Sequence, residues 1–573
     1  MLNQRIAKVF DEMANLLEIM GENVFRIRAY RRAAQNIDGL PRDVSQMTEA
    51  ELLSIPGIGH DLAEKIRHYV ETGTMEAYDE LRRKVPEGLT ALLSVPGIGH
   101  RTAKLLHERL KVRDLDDLER LAKEHKLSGL PGIKQKTEEN ILKGIGMLRR
   151  GRERLPIGRV LPTADDLLSQ LREKAPVRKL TLAGSLRRWK ETVKDIDILA
   201  TSGEPEKVMS VFVHLPTVKE VLMRGPTKSS VVISEGIQVD LRVVEEESFG
   251  AALAYFTGSK AHNIRLREMA VRVGLKINEY GIFREKDDRR LGGEKEEDVY
   301  QLLNLPYIPP ELREDTGEIE GAQDKRLPKL LELGDIRGDL HVHTRRSDGS
   351  HTPDELIKAA RQRGYEYIAI TDHTKGLGVA RGLNEEKIIE EVREIGAINK
   401  RLKGFRLLTG AEVDIRSDGT LDLPDDVLKK LDVVVASVHS GFRQSREQIT
   451  KRLLSAVRNP YVTLIAHPTG RLIGERDAYD VDMEQVFSAA KETGKALEIN
   501  AYPLRLDMND TYARRAKEMG IPILINTDTH VINQFDFMMY GVSIGRRGWL
   551  AKEDVINTLP TGNLLQWLKR MRR

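Results

Sequence analysis

Apolar positions recur every three to four residues through most of the first 150 positions, the spacing of short helices with one buried stripe. IAKVFDEMANLLEIM, from Ile6, is one such stretch. Two near-copies of a longer unit follow. LLSIPGIGHDLAEKI begins at Leu52 and LLSVPGIGHRTAKLL at Leu92, an offset of 40 residues. Each reads as helix, Pro-Gly-x-Gly hairpin, helix. A degraded third copy, LSGLPGIKQKTEENI, begins at Leu127.

The pattern then changes. Between residues 150 and 245, LTLAGSLRRW, DIDILAT, VVISEG and IQVDLRVV predict strands separated by helices. A helix is expected from Ser259 to Val273, with Ser259 as its N-cap. LPYIPPELRED closes this region, and the polar stretch over 314–336 reads as a linker. From Gly338 onward seven short apolar runs predict buried strands: DLHVHT, YIAITDH, RLLTGAEVDI, DVVVASVHS, TLIAHP, ALEINA and ILINTDTH. Helical segments separate most of them, which predicts parallel strands closing into a barrel or near-barrel.

Composition narrows the picture. A chain of 573 residues predicts roughly three to five domains. With 40% apolar and 31% charged residues it is globular rather than disordered. No apolar run reaches the roughly 18 residues of a bilayer span. The N-terminus is amphipathic and carries acids, so it does not read as a secretory signal. Cysteine is absent, which excludes disulfides, thiolate zinc sites and cysteine nucleophiles. Any metal must be held by His, Asp or Glu. A cytoplasmic setting is expected, and the charge load points weakly to a thermophile. The net charge of +4 says little, but Arg149 to Lys190 holds 12 basic and 4 acidic residues. That run is either a solvated face or a track for a polyanion.

Candidate chemistry falls in three places. In the hairpins, Gly57, Gly59, Gly97 and Gly99 allow close backbone approach, and N–H groups at a helix N-terminus suit a phosphate. One copy would be read as an ordinary helical corner; two near-identical copies favour phosphate binding. They resemble helix-hairpin-helix DNA-binding motifs, which grip the backbone without reading sequence. Second, Asp195 and Asp197 lie two apart on a strand, so both face one way. Asp240 sits on a strand that could neighbour theirs. A lone Asp-x-Asp is usually an exposed edge. Here Gly184-Ser185 and Arg187-Arg188 stand just upstream, ready for a triphosphate, and three carboxylates on one face call for cations such as Mg²⁺. Two such ions can clamp an in-line phosphoryl transfer.

Residues 1–317 resemble the family X DNA polymerases, the nucleotidyltransferases that include polymerase beta. LAGSLRRWKETVKDIDIL, YFTGSKAHN and INEYG carry the resemblance. It implies that Asp195 and Asp197 hold both metals, and that Asp240 completes the catalytic site and helps activate the primer 3′-hydroxyl. It implies triphosphate contacts from Gly184, Ser185 and Arg188. Tyr255, Phe256 and Gly258 would pack the sugar, Asn263 would meet the base edge, and Arg267 would touch the template strand. Trp189 and Lys194 stand where polymerase beta has glycines. The resemblance also places Lys65 at the lyase position that forms a Schiff base with a 5′-deoxyribose phosphate. Asp61 replaces a flanking lysine and Arg26 another basic residue; a carboxylate beside an amine favours its protonated, unreactive form. An ordinary surface lysine is an equal reading.

The third place is the set of strand ends after Gly338. His341, His343, His373, His439, His467 and His530 each end an apolar run, with Asp348, Glu412 and Asp528 in equivalent positions. In a β/α barrel such ends gather on one face. One histidine there is usually structural; six with three carboxylates require metals. Only His351 lies outside the pattern. The region resembles the polymerase-and-histidinol-phosphatase (PHP) domain. The resemblance implies a distorted seven-stranded barrel with up to three ions, Zn²⁺ or Mn²⁺. Glu412 would bridge, with His341, His343 and Asp528 on one ion, His439 and His467 on another, and Asp348, His373 and His530 on the third.

The expected architecture is therefore multi-domain. All-α helix-hairpin-helix domains come first, a lyase-like domain over 1–82 and a second hairpin subdomain over 83–150. An α+β nucleotidyltransferase palm (151–245) and a nucleotide-selection subdomain (246–317) follow. A linker (318–336) leads to a (β/α)7 PHP barrel (337–573). The expected activity is short-gap filling on primer–template DNA with dNTPs, plus a 3′–5′ exonuclease, with abasic-site endonuclease activity as a further candidate, in a monomer. A phosphoesterase whose polymerase half only delivers DNA is one rival. A non-catalytic DNA-binding scaffold is another.

Overall fold

The computed structural model describes residues 2–571 apart from 39–42, 56, 86–91, 93–94, 96–97, 132, 136, 140, 143–144 and 146–153. Its N-terminal part is helical. Leu2–Met20 and Val24–Asp38 pack against each other and bury Ile6, Phe10, Met13, Leu17 and Tyr30. The first hairpin unit joins Glu49–Leu53 to His60–Thr72, and the helix after the second hairpin is His100–Leu110. Thr48 starts the first unit with a reciprocal cap to Glu51.

The palm is a five-stranded sheet of β1 (Lys179–Leu182), β2 (Asp195–Thr201), β3 (Val218–Arg224), β4 (Lys228–Ile233) and β5 (Gln238–Val244), in the order β1-β2-β5-β4-β3. Alternation does the sorting. Ile196 and Ile198 of β2 and Val239, Leu241 and Val243 of β5 enter the core, while the intervening polar residues face away. Helix Ile157–Lys174 covers the sheet with Ile157, Val160, Ala164, Leu167 and Leu171.

Two expectations need revision here. LTLAGSLRRW is a strand only to Leu182, and Gly184–Arg187 is a short helical turn. Strand β3 escaped the sequence reading because it is an edge strand that leaves Val221 and Met223 exposed.

Helix Lys260–Arg272 has Ser259 as its N-cap, accepting from the His262 N–H. The stretch after residue 314, expected as a polar linker, is folded. It contains helix Glu318–Gln323, and Glu318 is fully buried against His262 at 2.7 Å. Leu330 and Leu331 are buried too, and the Leu331 N–H donates to the Leu550 carbonyl.

The seven expected strands of the C-terminal half form one parallel sheet in sequence order: β6 (Gly338–Val342), β7 (Tyr367–Ile370), β8 (Arg406–Asp414), β9 (Val433–Ser437), β10 (Leu464–Ile465), β11 (Ala496–Asn500) and β12 (Ile523–Asn526). Their residues are buried on both faces, so they read as continuous apolar runs. A bridge between Val342 and Thr529 brings the last strand back to the first, giving a nearly closed barrel.

Two candidate metal centres

In the palm, Asp197 and Asp240 are register partners on the parallel strands β2 and β5. Asp195 lies on the same face, one alternation away. Burial, and then Asp195 and Asp240, push the Asp197 carboxyl up to about 7. Burial and Asp240 also raise Asp195. Crowded carboxylates of this kind are a poor arrangement on their own and a good one around cations with oxygen ligands. The turn before them is built for close approach. Gly184 has φ +61°, and a Cβ there would stand 2.2 Å from Asp197 Oδ2. Only glycine fits.

A cavity of about 570 Å³ opens beside this cluster, lined among others by Ser185, Arg188 and Lys190 from the palm and Ser259 and Lys260 from the next subdomain. Arg154 also lines it. Sequence reading did not single that residue out, although it lies in the basic run noted above. Arg188 donates from Nε to Glu314 at 3.0 Å and from Nη1 to the Thr257 carbonyl. Arg187 points elsewhere, in a two-pronged pair with Glu296 at 2.7 Å. Gly258, at φ +71°, would bring a Cβ to 3.2 Å from Arg188 Nη1. Tyr255 and Phe256 meet edge to face at 5.1 Å, and Arg242 lies 4.3 Å over the Phe256 ring. Asn263 donates to the Tyr255 carbonyl at 2.7 Å. Arg267 is exposed, with Nε 3.3 Å from the Asn263 carbonyl.

The hairpin glycines differ among themselves. Gly57 needs its positive φ (+87°), and a Cβ would press on Arg32 at 2.8 Å. Gly59 and Gly99 are exposed N-caps with nothing within 4 Å of a built Cβ. Gly97 lies outside the described residues. Gly59→Val and Gly99→Val should therefore leave the fold intact and weaken DNA binding about equally for all sequences, because phosphate contact carries no base information. Titration of two duplexes of unrelated sequence measures this; a loss confined to one of them would refute backbone recognition. Lys65 is paired with the Asp61 carboxylate on the same helix face.

At the barrel's C-terminal end all nine expected residues converge. Donor atoms of eight of them fall into three groups: His343, Asp348, His373 and His530; His341, His343, Glu412 and Asp528; and His373, Glu412 and His439. Glu412 is central, with carboxylate oxygens 2.8 Å from His373 Nδ1, 3.2 Å from His439 Nε2 and 3.1 Å from His467 Nε2. The partition differs in detail from the expectation. His343, His373 and Glu412 each belong to two groups, and His467 lies outside all three, beside Glu412 and 5.5 Å from His439 between ring centroids.

The donor set fits divalent cations. His341 Nε2, both His343 ring nitrogens, His373 Nδ1, Glu412 Oε2 and Asp528 Oδ1 are buried with no well-formed hydrogen bond. So many orphaned acceptors of mixed N/O type would be costly without ions. Burial, reinforced by His530 and His373, lowers His343 to about 3, the neutral form that ligates. Burial would also lower His341, but Asp528, Glu498 and Glu412 hold it well above its usual value. Glu498 was missed in the sequence. It sits fully buried in β11, accepts from the His467 N–H at 2.9 Å and lies 2.8 Å from His341 Nδ1. A carboxylate behind a ligating imidazole fixes its tautomer and orientation. The only signal was an acid inside the apolar run ALEINA.

Family profiles match four stretches: a helix-hairpin-helix domain over residues 1–75, a SAM-like helix-hairpin-helix tandem over 89–146, a DNA polymerase beta thumb over 252–314 and a PHP domain over 339–502. Fold and profiles together define a nucleotidyltransferase joined to a metal-dependent phosphoesterase. Among known proteins, the DNA polymerase/3′-5′ exonuclease PolX of Bacillus subtilis is 40% identical over 567 residues, 99% of each chain. Probable phosphatases of Thermoanaerobacter sp. and Caldanaerobacter subterraneus match part of the chain. They are 31% and 34% identical, covering 41% and 35% of this chain and 95% and 79% of their own. The chain belongs to the PolX family, the bacterial family X DNA polymerases with a C-terminal PHP domain.

Proposed function

We propose that the chain is a DNA repair polymerase that fills short gaps and trims 3′ ends with its PHP domain. The observation that carries the polymerase half is the Asp197–Asp240 register pair with Asp195 beside it. Divalent cations would supply charge neutralisation and Lewis acidity at both centres. In the palm, Asp195 and Asp197 would hold both ions, Mg²⁺ in this reading, and Asp240 the catalytic one, beside the primer 3′-hydroxyl. Gly184, Ser185 and Arg188 would bind the dNTP triphosphate. Tyr255, Phe256 and Gly258 would pack the sugar, Asn263 the base edge, and Arg267 the template strand. The hairpins at Gly57, Gly59, Gly97 and Gly99 would hold the DNA backbone.

In the barrel, His341, His343, Asp348, His373, Glu412, His439, His467, Asp528 and His530 would hold up to three ions, Zn²⁺ or Mn²⁺. His341, His343, His373, Glu412, His467 and Asp528 are buried, while Asp348, His439 and His530 are partly exposed, so the phosphodiester would approach from the strand-end face on their side. The domain limits that follow are 1–82, 83–150, 151–245, 246–317, 318–336 and 337–573. The working form would be a cytoplasmic monomer. Among the described residues no helix is long and apolar enough to cross a membrane.

A gapped, 5′-labelled primer–template incubated with Mg²⁺ or Mn²⁺, with and without dNTPs, tests the whole reading. Extension with dNTPs and shortening without them are expected. Shortening alone would favour the phosphoesterase reading, and neither would favour the scaffold.

Lys65 would give weak lyase activity, held back by its pairing with Asp61. Borohydride trapping on a 5′-deoxyribose phosphate should yield a covalent adduct that Lys65→Ala lacks. An adduct surviving the change would place the chemistry on another amine.

A further inference from the structure

Residues Arg188 to Glu191 join the turn at Ser185 to the strand that carries Asp195 and Asp197. Three side chains of the barrel half hold this short segment. Arg547 is buried at the end of helix Met538–Arg547 and donates from Nη1 to the Arg188 carbonyl at 2.7 Å. It also bonds Glu314 at 3.1 Å and Asp510 at 2.8 Å. Glu314 is the carboxylate that accepts from Arg188 Nε. Trp189 meets Tyr540 edge to face, with centroids 6.0 Å apart. Arg471, four residues after His467, holds Glu191 through two bonds at 2.7 and 3.1 Å. Trp189 has φ +54°. A non-glycine residue keeps such a conformation only where its surroundings over-determine it. Here those surroundings include the barrel. The cavity beside Ser185 and Arg188 is also lined by Asn509, Asp510 and Arg547 of the barrel half.

We propose that the barrel domain is part of the nucleotide-binding machinery of the palm: Arg547, Tyr540 and Arg471 are positioning residues that fix the segment Arg188–Glu191. Through it they set the triphosphate contacts of Ser185 and Arg188. This inference rests on the assignment of those two residues under the proposed function. Two physical effects act in the same direction. A pinned backbone removes the ordering cost that an anion would otherwise meet on binding. Arg547 also shares the charge of Glu314, which lies 3.0 Å from Arg188 and 3.9 Å from Lys190. Without Arg547, Glu314 draws Arg188 more strongly away from an incoming phosphate.

The test uses the full-length chain with Arg547→Met and, separately, Trp189→Gly. Glycine accepts the positive φ without strain, so the second variant removes the ring and its barrel contact while sparing the turn. Primer extension is measured against dNTP concentration, DNA affinity by titration, and shortening of a single-stranded primer without dNTPs as the check on the barrel. KM for dNTP should rise about tenfold in each variant with kcat within about twofold, the pattern of lost ground-state binding. DNA affinity and primer shortening should stay at wild-type levels. Arg547→Lys, which keeps the charge but not the three-way bonding, should fall between. Unchanged KM in both variants, beside a wild type that extends primers, overturns this inference alone. A parallel fall of extension and shortening in both variants also overturns it, because that marks a folding role. A wild type that does not extend primers overturns the polymerase reading and this inference with it.

Discussion

Asp240→Asn should abolish primer extension and leave primer shortening intact. Asp240 faces Asp197 across the parallel pair β2–β5, and a neutral amide there removes one of three charges that a cation would answer. Loss of a metal-site carboxylate is expected to cost several kcal/mol of transition-state stabilisation, roughly a thousandfold or more in rate. The side chain sits on the solvent-side alternation of β5 and is not in the core, so the change should not unfold the palm. Extension near the wild-type rate would reject Asp240 as a ligand. Loss of shortening as well would mean that the two centres are not independent.

The second large effect is expected from His341→Ala with His343→Ala. The two residues lie two apart at the end of β6, and their Nε2 atoms lie 3.5 and 3.1 Å from Asp528 Oδ1. Removing both takes away two donors of the group that includes Glu412 and Asp528. Primer shortening should stop while dNTP addition continues. In the wild type, a chelator should stop shortening, and Mn²⁺ or Zn²⁺ should restore it. Shortening at the wild-type rate by a folded double variant would place the nuclease elsewhere.

Much of both centres was legible in the sequence because their spacing is short-range. Asp195 and Asp197 share a strand face by the period of two, and six histidines end apolar runs of similar length. The barrel strands were legible for the same reason: burial on both faces makes them apolar throughout. What escaped depends on contacts between distant residues. Edge strand β3 carries no clear core face. Glu498 looks like an interruption of a strand until His341, 157 residues away in sequence, is beside it. Residues 318–336 are polar enough to read as a tether, yet Glu318 is buried because His262 supplies a partner. The grouping of eight of the nine candidate ligands into three sets also depends on barrel closure, which sequence spacing does not encode.

Glu498 has one more consequence. Its two oxygens engage His341 of β6, the His467 backbone after β10, Asn500 of β11 and Asn526 of β12, while Asn526 in turn accepts from the Leu340 N–H. Four strand ends are thus tied to one buried carboxylate, and none can fray without stranding a charge inside the barrel. Local openings expose amides to solvent exchange only where a segment can detach by itself. The amide hydrogens of Leu340 and His467 should therefore exchange with deuterium only through concerted opening of the whole barrel, at the slow limit of the molecule. The ligand-bearing rim would then rank among its most rigid parts, although strand ends and loops are ordinarily among the first to breathe.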